Sequence, residues 1–451
     1  EPTLEDAAPL PGTPQLTEHS ALLTFAQVAR VLPGRRVSGH ARVDDGTPYF
    51  AKLFYGADAR RYWQRELRGA ERMVTAGVPC ARVQATGATA DGGGYVVLYE
   101  WLQDAVNLRE FNQQEIFAAV EILARLHSAN SVQTDVHFNN FVRCGDTVYA
   151  VDADGVRAAQ LLRQHFNNLA MLLAQRAPWY DTDIADIWRH YAAARGEYVS
   201  KMGSADQLVQ LTQLQRAHRV RRYLQKTQRE CTEFVHKRSW QRNWLCDRGH
   251  WPALQRFMLF PELFMGEGTP LKLGNSATVV RVEIDGSPYI VKRYNIKNWS
   301  HRIRRWFKRR ARLAWRNGHW LAFLGVPTAK PVALLELKWG WFTQVCYLLM
   351  PDCGERNLGQ LVATDEAAFA ELAPQAIDIL CRLQAAQLSH GDLKATNFVI
   401  HDGNLSLIDY DAVQAGSIHP DVQRFLANWR AQPELQQAWR ARLTAAGLLP
   451  E

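Results

Sequence analysis

The sequence predicts an α+β chain in which one two-lobed unit, a small strand-rich lobe followed by a helical lobe, occurs twice. Three observations carry this reading. The pattern Asp, four residues, Asn-Phe-Val, a turn, an apolar run and Asp-x-Asp appears in DVHFNNFVRCGDTVYAVDADGV (135–156) and again in DLKATNFVIHDGNLSLIDYDAV (392–413). A turn leading into an apolar, lysine-bearing segment precedes each copy, DDGTPYFAKLFY at 44–55 and IDGSPYIVKRYN at 284–295. Between these lie TAGVPCARV (75–83) and FLGVPTAKPV (323–332), so three matches occur in the same order, the signature of an internal repeat.

The elements follow in chain order. Asp44-Asp45-Gly46, and Asp285-Gly286 in the second copy, are turn residues that open a short strand carrying Lys52 or Lys292. RRYWQRELRGAERMVTAG reads as a helix stopped by Gly77. YVVLYEW (95–101) and YLLMPDCG (347–354) read as strands. EIFAAVEILARLHSAN (115–130) and FAELAPQAIDILCRLQAAQ (369–387) read as helices, and each Asp…Asn loop comes after its helix. Strands first and helices later describe a sheet lobe followed by a helical lobe. The expected divisions are a loose tail at 1–20, a first domain at 21–200, a basic helical connector at 201–260 and a second domain at 261–451. In the connector, Trp240, Trp244 and Trp251 are expected to pack the halves together.

Composition agrees. The 451 residues suit two or three domains of about 150 residues, and 47% hydrophobic with 22% charged residues is a globular balance. No apolar run approaches the roughly 20 residues needed to span a bilayer. EPTLEDAAPLPGTPQL has neither a basic n-region nor an apolar h-region, so a cytoplasmic chain is expected. The seven cysteines show no C-x-x-C spacing and read as reduced thiols. The net charge of +8 is concentrated in RYNIKNWSHRIRRWFKRRARLAWR (293–316), which has no acidic residue and implies an anionic partner.

Each repeat supplies the four groups that phosphoryl transfer needs: a lysine for phosphate, a carboxylate for the attacking hydroxyl, and an Asn and a second Asp as oxygen ligands for Mg²⁺. These are Lys52, Asp135, Asn140 and Asp152 in the first copy, and Lys292, Asp392, Asn397 and Asp409 in the second. SHGDLKATNFVI with LIDYDAV resembles the catalytic and metal loops of the protein-kinase-like superfamily. QTDVHFNNFV, YAVDADGV and the Trp-Arg-Asn-Gly-His…Gly-Val-Pro-Thr stretch are similar to the bacterial lipopolysaccharide core kinase family within it, which phosphorylates sugars such as heptose and Kdo.

That resemblance implies ATP and Mg²⁺. It makes Asp135 and Asp392 the catalytic bases and Lys394 the loop lysine directed at the γ-phosphate, a place held by His137 in the first copy. It makes Asn140, Asp152, Asn397 and Asp409 the metal ligands, and Lys52 and Lys292 the phosphate ligands. Glu66, eleven residues before Gly77, is the expected partner of Lys52, with Glu71 behind it. The same count back from Gly325 meets Ala314, and the surrounding helix has no acid, so Lys292 is left without a visible partner. Thr134 and Gly391 precede the two catalytic Asp residues where regulated protein kinases carry Arg, so activation-loop control is not indicated. The glycine loops are thin: LGNSATVVRV (273–282) is a reduced phosphate loop and RRVSGHARV (35–43) a poorer one. Asp154 and Asp411 read equally as metal-adjacent or turn-stabilising acids, and His127 and His390 as packing residues.

The expected function is phosphorylation of a sugar hydroxyl of the lipopolysaccharide inner core or its lipid-linked precursor. The chain is expected at the inner membrane, peripheral to its anionic surface through 293–316, with no nucleic-acid partner. The alternatives are a kinase for another small-molecule or protein hydroxyl, and a silent pseudokinase pair acting as a scaffold.

Overall fold

The computed structural model describes residues 22–108, 113–196, 199, 201–274, 276–295, 304–339 and 342–450; the tail at 1–20 lies outside them. The chain divides into two compact units, Glu1–Arg176 with Tyr180–Arg216, and Ala177–Trp179 with Ala217–Glu451.

In the first unit β1 (Thr24–Leu32), β2 (Arg36–Arg42), β3 (Pro48–Tyr55), β4 (Val83–Ala88) and β5 (Gly94–Glu100) form one antiparallel sheet in the order β1-β2-β3-β5-β4. Pro33-Gly34 turns the chain between β1 and β2. The Asp45 carboxylate accepts from Thr47 N at 2.8 Å in the turn before β3. The strand period puts Ala51 on one face, in a small cluster with Ala41, Val96 and Leu98, and Lys52 on the other. Helix α1 (Ala59–Thr75) follows, with Glu66, Leu67, Ala70 and Met73 buried along one side, and Gly77 at φ 64° ends it.

Helix α2 (Gln113–Ser128) then buries Ile116, Ala119, Val120, Leu123, Ala124 and His127, an i, i+3, i+4, i+7 stripe. Short strands β6 (Val106–Asn107), β7 (Ser131–Gln133), β8 (Phe141–Cys144), β9 (Thr147–Ala150) and β10 (Val156–Ala158) frame the first Asp…Asn loop. Helices α3 (Leu162–Leu173) and α4 (Ile184–Arg195) complete the lobe, and the start of α5 (Ala205–Lys226) joins its core through Leu208.

The second unit opens with β11 (Phe234–Arg238), β12 (Arg242–Asp247), α6 (Trp251–Leu259) and α7 (Pro261–Glu267). Then come β13 (Thr269–Leu273), β14 (Ala277–Ile284), β15 (Ser287–Tyr294), α8 (Arg304–Phe323), β16 (Ala333–Trp339) and β17 (Phe342–Pro351). The sheet order is β11-β12-β16-β17-β15-β14-β13, so β13-β14-β15-β17-β16 repeats the five-strand order of the first unit. Asp285 and Gly286, at φ 49° and 71°, make the two-residue hairpin turn whose twist matches the strands it joins. The sheet is buried on both faces. Val291, Leu335, Tyr347 and Leu349 pack with α6 on one, and Leu334, Leu348 and Met350 join the main core on the other.

Helices α9 (Leu358–Val362) and α10 (Glu366–Ala385) begin the helical lobe. Asp365 caps α10 by accepting from Ala367 N and Ala368 N. Strands β18 (Leu388–Ser389), β19 (Phe398–His401), β20 (Asn404–Leu407) and β21 (Gln414–Ala415) frame the second loop; α11 (His419–Leu426) and α12 (Pro433–Ala445) close the lobe. The expected minimal lobe is thus two helices beyond Asp411.

The expected connector at 201–260 is corrected. Between its helices, α5 ending at Lys226 and α6 at Trp251–Leu259, it folds as the hairpin β11–β12, which pairs with β16 in the sheet of the second unit. Its alternation Phe234-Val235-His236 and Trp244-Leu245-Cys246 is a strand period that the surrounding charge masks. Trp244 and Trp251 pack against the core of that sheet, while Trp240 is 66% exposed. All seven cysteines are free thiols. Among the described residues no helix is long and apolar enough to cross a membrane.

His127, His165, His319 and His390 are all buried with lowered pKa values. His127 lies between Tyr191 Oη at 2.8 Å and Asn168 Oδ1 at 3.1 Å, and burial pushes its pKa from 6.5 to about 3. His319, beside Tyr223, is likewise lowered to about 3, by burial and then by Lys330. The folded pKa lies below the unfolded one, so on acidification the unfolded chain takes up the proton first. Stability contributed by each of His127 and His319 is complete above about 6.5 and is lost progressively down to about 3, at up to about 1.4 kcal/mol per pH unit. Denaturant titrations across this window are expected to show that slope, and His127→Gln to reduce it in the transition of the first unit.

Candidate active site

In the first unit Lys52 stands at the middle of β3, opposite Ser38 on β2 and Val97 on β5, so its ammonium is carried into the lobe interior. It is 3% exposed and Glu66 on α1 is fully buried. Lys52 Nζ reaches Glu66 Oε1 at 2.6 Å and Asp152 Oδ1 at 3.1 Å. Tyr99 on β5 donates to Glu66 Oε1 at 2.6 Å, and Arg36 lies 3.7 Å from Oε2. Burial alone would lower the Lys52 pKa, but Glu66 and Asp152 outweigh it and the net shift is upward. Burial raises Asp152 while Lys52 and Arg36 pull it down, and the balance is downward. Lys52 and Asp152 are therefore both charged at neutral pH. The expected pairing with Glu66 is observed, and Glu71 is exposed.

The two loops share one brace. Asn140 Nδ2 donates to Asp135 O at 2.8 Å, and Asn397 Nδ2 to Asp392 O at 2.8 Å. Val151 N bonds Asn140 O and Ile408 N bonds Asn397 O, at 3.0 and 2.9 Å, which ties each Asn to the strand leading to its Asp-x-Asp. Each Asn amide NH₂ is thus spent on the loop, and its oxygen is the atom a metal ion would use. An Asn oxygen with an Asp carboxylate is a hard donor set suited to Mg²⁺, which keeps waters and takes few protein ligands. Asn140 with Asp152, and Asn397 with Asp409, fit that role.

The second unit anchors its lysine differently. Lys292 Nζ meets Asp409 Oδ1 at 2.7 Å and both oxygens of Asp411 at 3.1 Å. Asp411 also accepts from Tyr294 Oη at 2.9 Å and from Arg310 on α8 at 2.9 Å. The partner of Lys292 that the sequence left unseen is therefore the second acid of Asp-x-Asp. Asp154, its counterpart, bonds Arg35 at 3.0 Å and Arg65 at 2.5 and 2.8 Å instead. Ion pairing, rather than the expected choice between metal and turn, describes both acids. Burial raises Asp409, but Lys292, His390 and Arg310 pull it down and the net shift is downward. Asp409 adopts φ 60°, ψ 48°, a left-handed conformation uncommon for a residue with a side chain and typical of functional turns.

Lys394 Nζ bonds Asp392 Oδ2 at 2.9 Å, so the expected loop lysine sits on the expected base. His390 is buried and held neutral by burial, with Nε2 donating to Ile408 O at 3.2 Å, a packing role as expected. Sequence reading missed Asp421. It is 1% exposed on α11 and accepts from Ser389 Oγ, His390 N and Gly391 N at 2.8, 2.6 and 3.0 Å. In the first unit Asn168 performs part of this task, bonding Gln133 N and O at 3.3 and 2.7 Å. The signal was an Asp inside the apolar stripe Asp421, Val422, Phe425, Leu426.

Residues 267–389 match the model of the phosphotransferase enzyme family, so the second unit is similar to phosphotransferases over most of its sheet and the start of its helical lobe. No curated protein matches. A structure of WaaP in complex with acyl carrier protein is 18% identical, covering 43% of this chain and 88% of its own at a TM-score of 0.32. A thermostable aminoglycoside phosphotransferase APH(4)-Ia, in ternary complex with ADP and hygromycin B, is 12% identical, covering 43% and 84% at 0.32. The amicoumacin kinase hAmiN, in complex with AMP-PNP, Ca²⁺ and Ami, is 13% identical, covering 45% and 83% at 0.30. The chain forms two α+β units, each with a strand-rich part followed by a helical part, and its similarity to phosphotransferases lies in residues 267–389.

The two lysine anchors make opposite demands on mutation. Asp411→Asn is expected to weaken nucleotide binding by the second unit at least about tenfold, because it leaves a buried cation cluster short of one charge. Glu66→Gln is expected to do the same in the first unit, and Asp154→Asn to stay within about threefold, since Asp154 does not touch Lys52. Titration of a fluorescent ADP analogue into each variant, with the other unit's lysine replaced, reads all three.

Proposed function

We propose that this chain is an ATP-dependent phosphotransferase that acts on a sugar hydroxyl of the lipopolysaccharide inner core, heptose foremost, and that transfer takes place in the second unit. The observation that carries the reading is the complete set gathered there: Lys292 in the sheet, Asp392 with Lys394 in the loop, and Asn397 with Asp409 behind them. The sugar acceptor is supported by the resemblance of the loop motifs to lipopolysaccharide core kinases.

The chemistry follows from these side chains. Lys292 holds the α- and β-phosphates of ATP, its charge set by Asp409 and Asp411. The acceptor hydroxyl attacks the γ-phosphorus; its oxygen forms the new P–O bond, the bond to the ADP oxygen breaks, and the hydroxyl proton passes to the Asp392 carboxylate. Lys394, 2.9 Å from Asp392, places a positive charge beside the base and the transferred phosphoryl group. Asn397 and Asp409 would hold Mg²⁺, which would supply charge neutralisation of the phosphates. In the first unit His137 stands in the place of the loop lysine, so the two units differ at this position.

The basic segment at 293–316 is proposed to meet an anionic membrane surface. Three of its described bases are ion-paired, Arg293 with Glu262, Arg310 with Asp411 and Arg312 with Glu336. Trp315 is buried and donates to Thr227 O at 3.1 Å, as expected for an inward aromatic. Residues 296–303 and the side chains of 304–309, which include Trp299, Trp306 and Phe307, lie outside the described residues. The remaining bases, at 297, 302, 304, 305, 308, 309 and 316, would supply the contact, each adding about 1 kcal/mol near an anionic leaflet.

Transfer of labelled γ-phosphate from Mg·ATP to dephosphorylated lipopolysaccharide core tests the assignment. Asp392→Asn is expected to slow it at least about a hundredfold and Asp135→Asn far less. Loss in Asp135→Asn alone would move catalysis to the first unit. No transfer by the unaltered chain to any sugar would sink the sugar-kinase reading. Cosedimentation with anionic but not zwitterionic vesicles, weakened by salt, is the expected outcome for the basic segment.

A further inference from the structure

The glycine loop at 35–43 is poor in sequence, and in the structure the turn that opens it is short and tied down. It runs Pro33-Gly34-Arg35, between the paired residues Leu32 and Arg36. Arg35 N is spent on Leu32 O at 3.0 Å, and Arg35 O accepts from Tyr55 N at 3.1 Å. Tyr55 Oη donates to Leu32 O at 3.2 Å, so the turn is pinned to the end of β3. With Arg35 N committed, it lacks the run of free amides with which a glycine-rich loop cradles phosphate.

A side chain stands there instead. Arg36 opens β2 opposite Phe54, and Ser38 stands opposite Lys52, so the strand period puts Arg36 on the lysine's face of the sheet. Arg36 is 6% exposed, with its guanidinium 6.0 Å from the centre of the buried Phe54 ring. It flanks the same carboxylate as the lysine. Lys52 Nζ is 2.6 Å from Glu66 Oε1, a hydrogen bond, whereas Arg36 Nη1 is 3.7 Å from Glu66 Oε2, too far for one. Among the described residues Arg36 Nε and Nη1 and Glu66 Oε2 are buried without a hydrogen-bond partner. A buried guanidinium with unused donors is costly, because each donor has given up water for nothing in return. The second unit is built otherwise: Val279 faces Lys292, and Ala277, opposite Tyr294, holds the place that Arg36 holds opposite Phe54.

We propose that Arg36 is a second phosphate ligand of the first unit, meeting the phosphates of a bound nucleotide beside Lys52 in place of a glycine-rich loop. The proposal rests on the reading of the chain as an ATP-dependent phosphotransferase, with Lys52 as a phosphate ligand. Guanidinium donors lie in a fixed plane and pair with two phosphate oxygens at once, where an ammonium acts as a point charge. Phosphate oxygens between the two side chains satisfy the Arg36 donors and leave Lys52 bonded to Glu66. The Phe54 ring keeps water from one side of the guanidinium, which strengthens such bonds.

Binding of a fluorescent ADP analogue and of the matching adenosine analogue to the full chain reads this role, in a Lys292→Met background that removes the lysine of the second unit. Arg36→Gln is expected to weaken the ADP analogue at least about tenfold. The adenosine analogue is expected to change less than about threefold, since only the phosphates meet Arg36, and its retained binding shows that the lobe is folded. Arg36→Lys keeps the charge without the planar fork and is expected to lose less affinity for the ADP analogue than the Gln variant. Unchanged ADP affinity in Arg36→Gln overturns the proposal alone. An equal loss for both analogues also overturns it, by making Arg36 a support for Glu66 and α1. No saturable binding of the ADP analogue to the Lys292→Met chain with Arg36 intact overturns it together with the nucleotide reading of the first unit.

Discussion

A lysine ammonium held inside each small lobe is the constraint around which the rest is arranged. Taking such a charge out of water costs several kcal/mol, so a chain that places Lys52 or Lys292 mid-strand must bring carboxylates to it. The first unit brings one from a helix and one from a loop, Glu66 and Asp152. The second brings both from a single turn, Asp409 and Asp411. The consequences spread outward. In the first unit the lysine itself docks α1 to the sheet. In the second unit α8 has no acid to offer, and it is docked instead to the turn, through Arg310 to Asp411 and through Asn317 Nδ2 to the carbonyls of Tyr410 and Val413. Lysine, turn and helix thus form one connected network by a different wiring.

The reacting loops depend on a second constraint, the satisfaction of backbone polar groups at a tight bend. Asn140 and Asn397 each use an amide to brace the carbonyl of Asp135 or Asp392, which fixes the spacing of Asp and Asn in each loop by local bonding. Asp421 braces the other side of the second loop by accepting three hydrogen bonds while almost wholly buried. A buried carboxylate is tolerated there because every bond it accepts is charge-assisted. Asn168 in the first unit is neutral and makes fewer such bonds, so the two loops are held with unequal force.

The second unit also enlarges its sheet. The hairpin β11–β12 extends a five-stranded sheet to seven, and α6 and α7 cover the face away from Lys292. That covering explains why β15 and β17 alternate between two cores, and α7 supplies Glu262 as the partner of Arg293.

By itself the sequence determined the strands that carry Lys52 and Lys292, the helices after them and the two Asp…Asn loops. These are set by local rules: strand and helix periods, turn residues, and fixed spacings within one loop. It also located Glu66, because a helix of regular pitch ending at Gly77 makes a count along it meaningful. Only the tertiary structure decided that Asp411 anchors Lys292, that Asp154 turns to Arg35 and Arg65, and that Asp421 carries the second loop. It also decided that the stretch read as a connector is a hairpin of the second sheet. Each of these joins residues far apart in the chain, and the acid a buried cation recruits depends on which carboxylate the packed elements bring within reach. No spacing along the sequence encodes that distance.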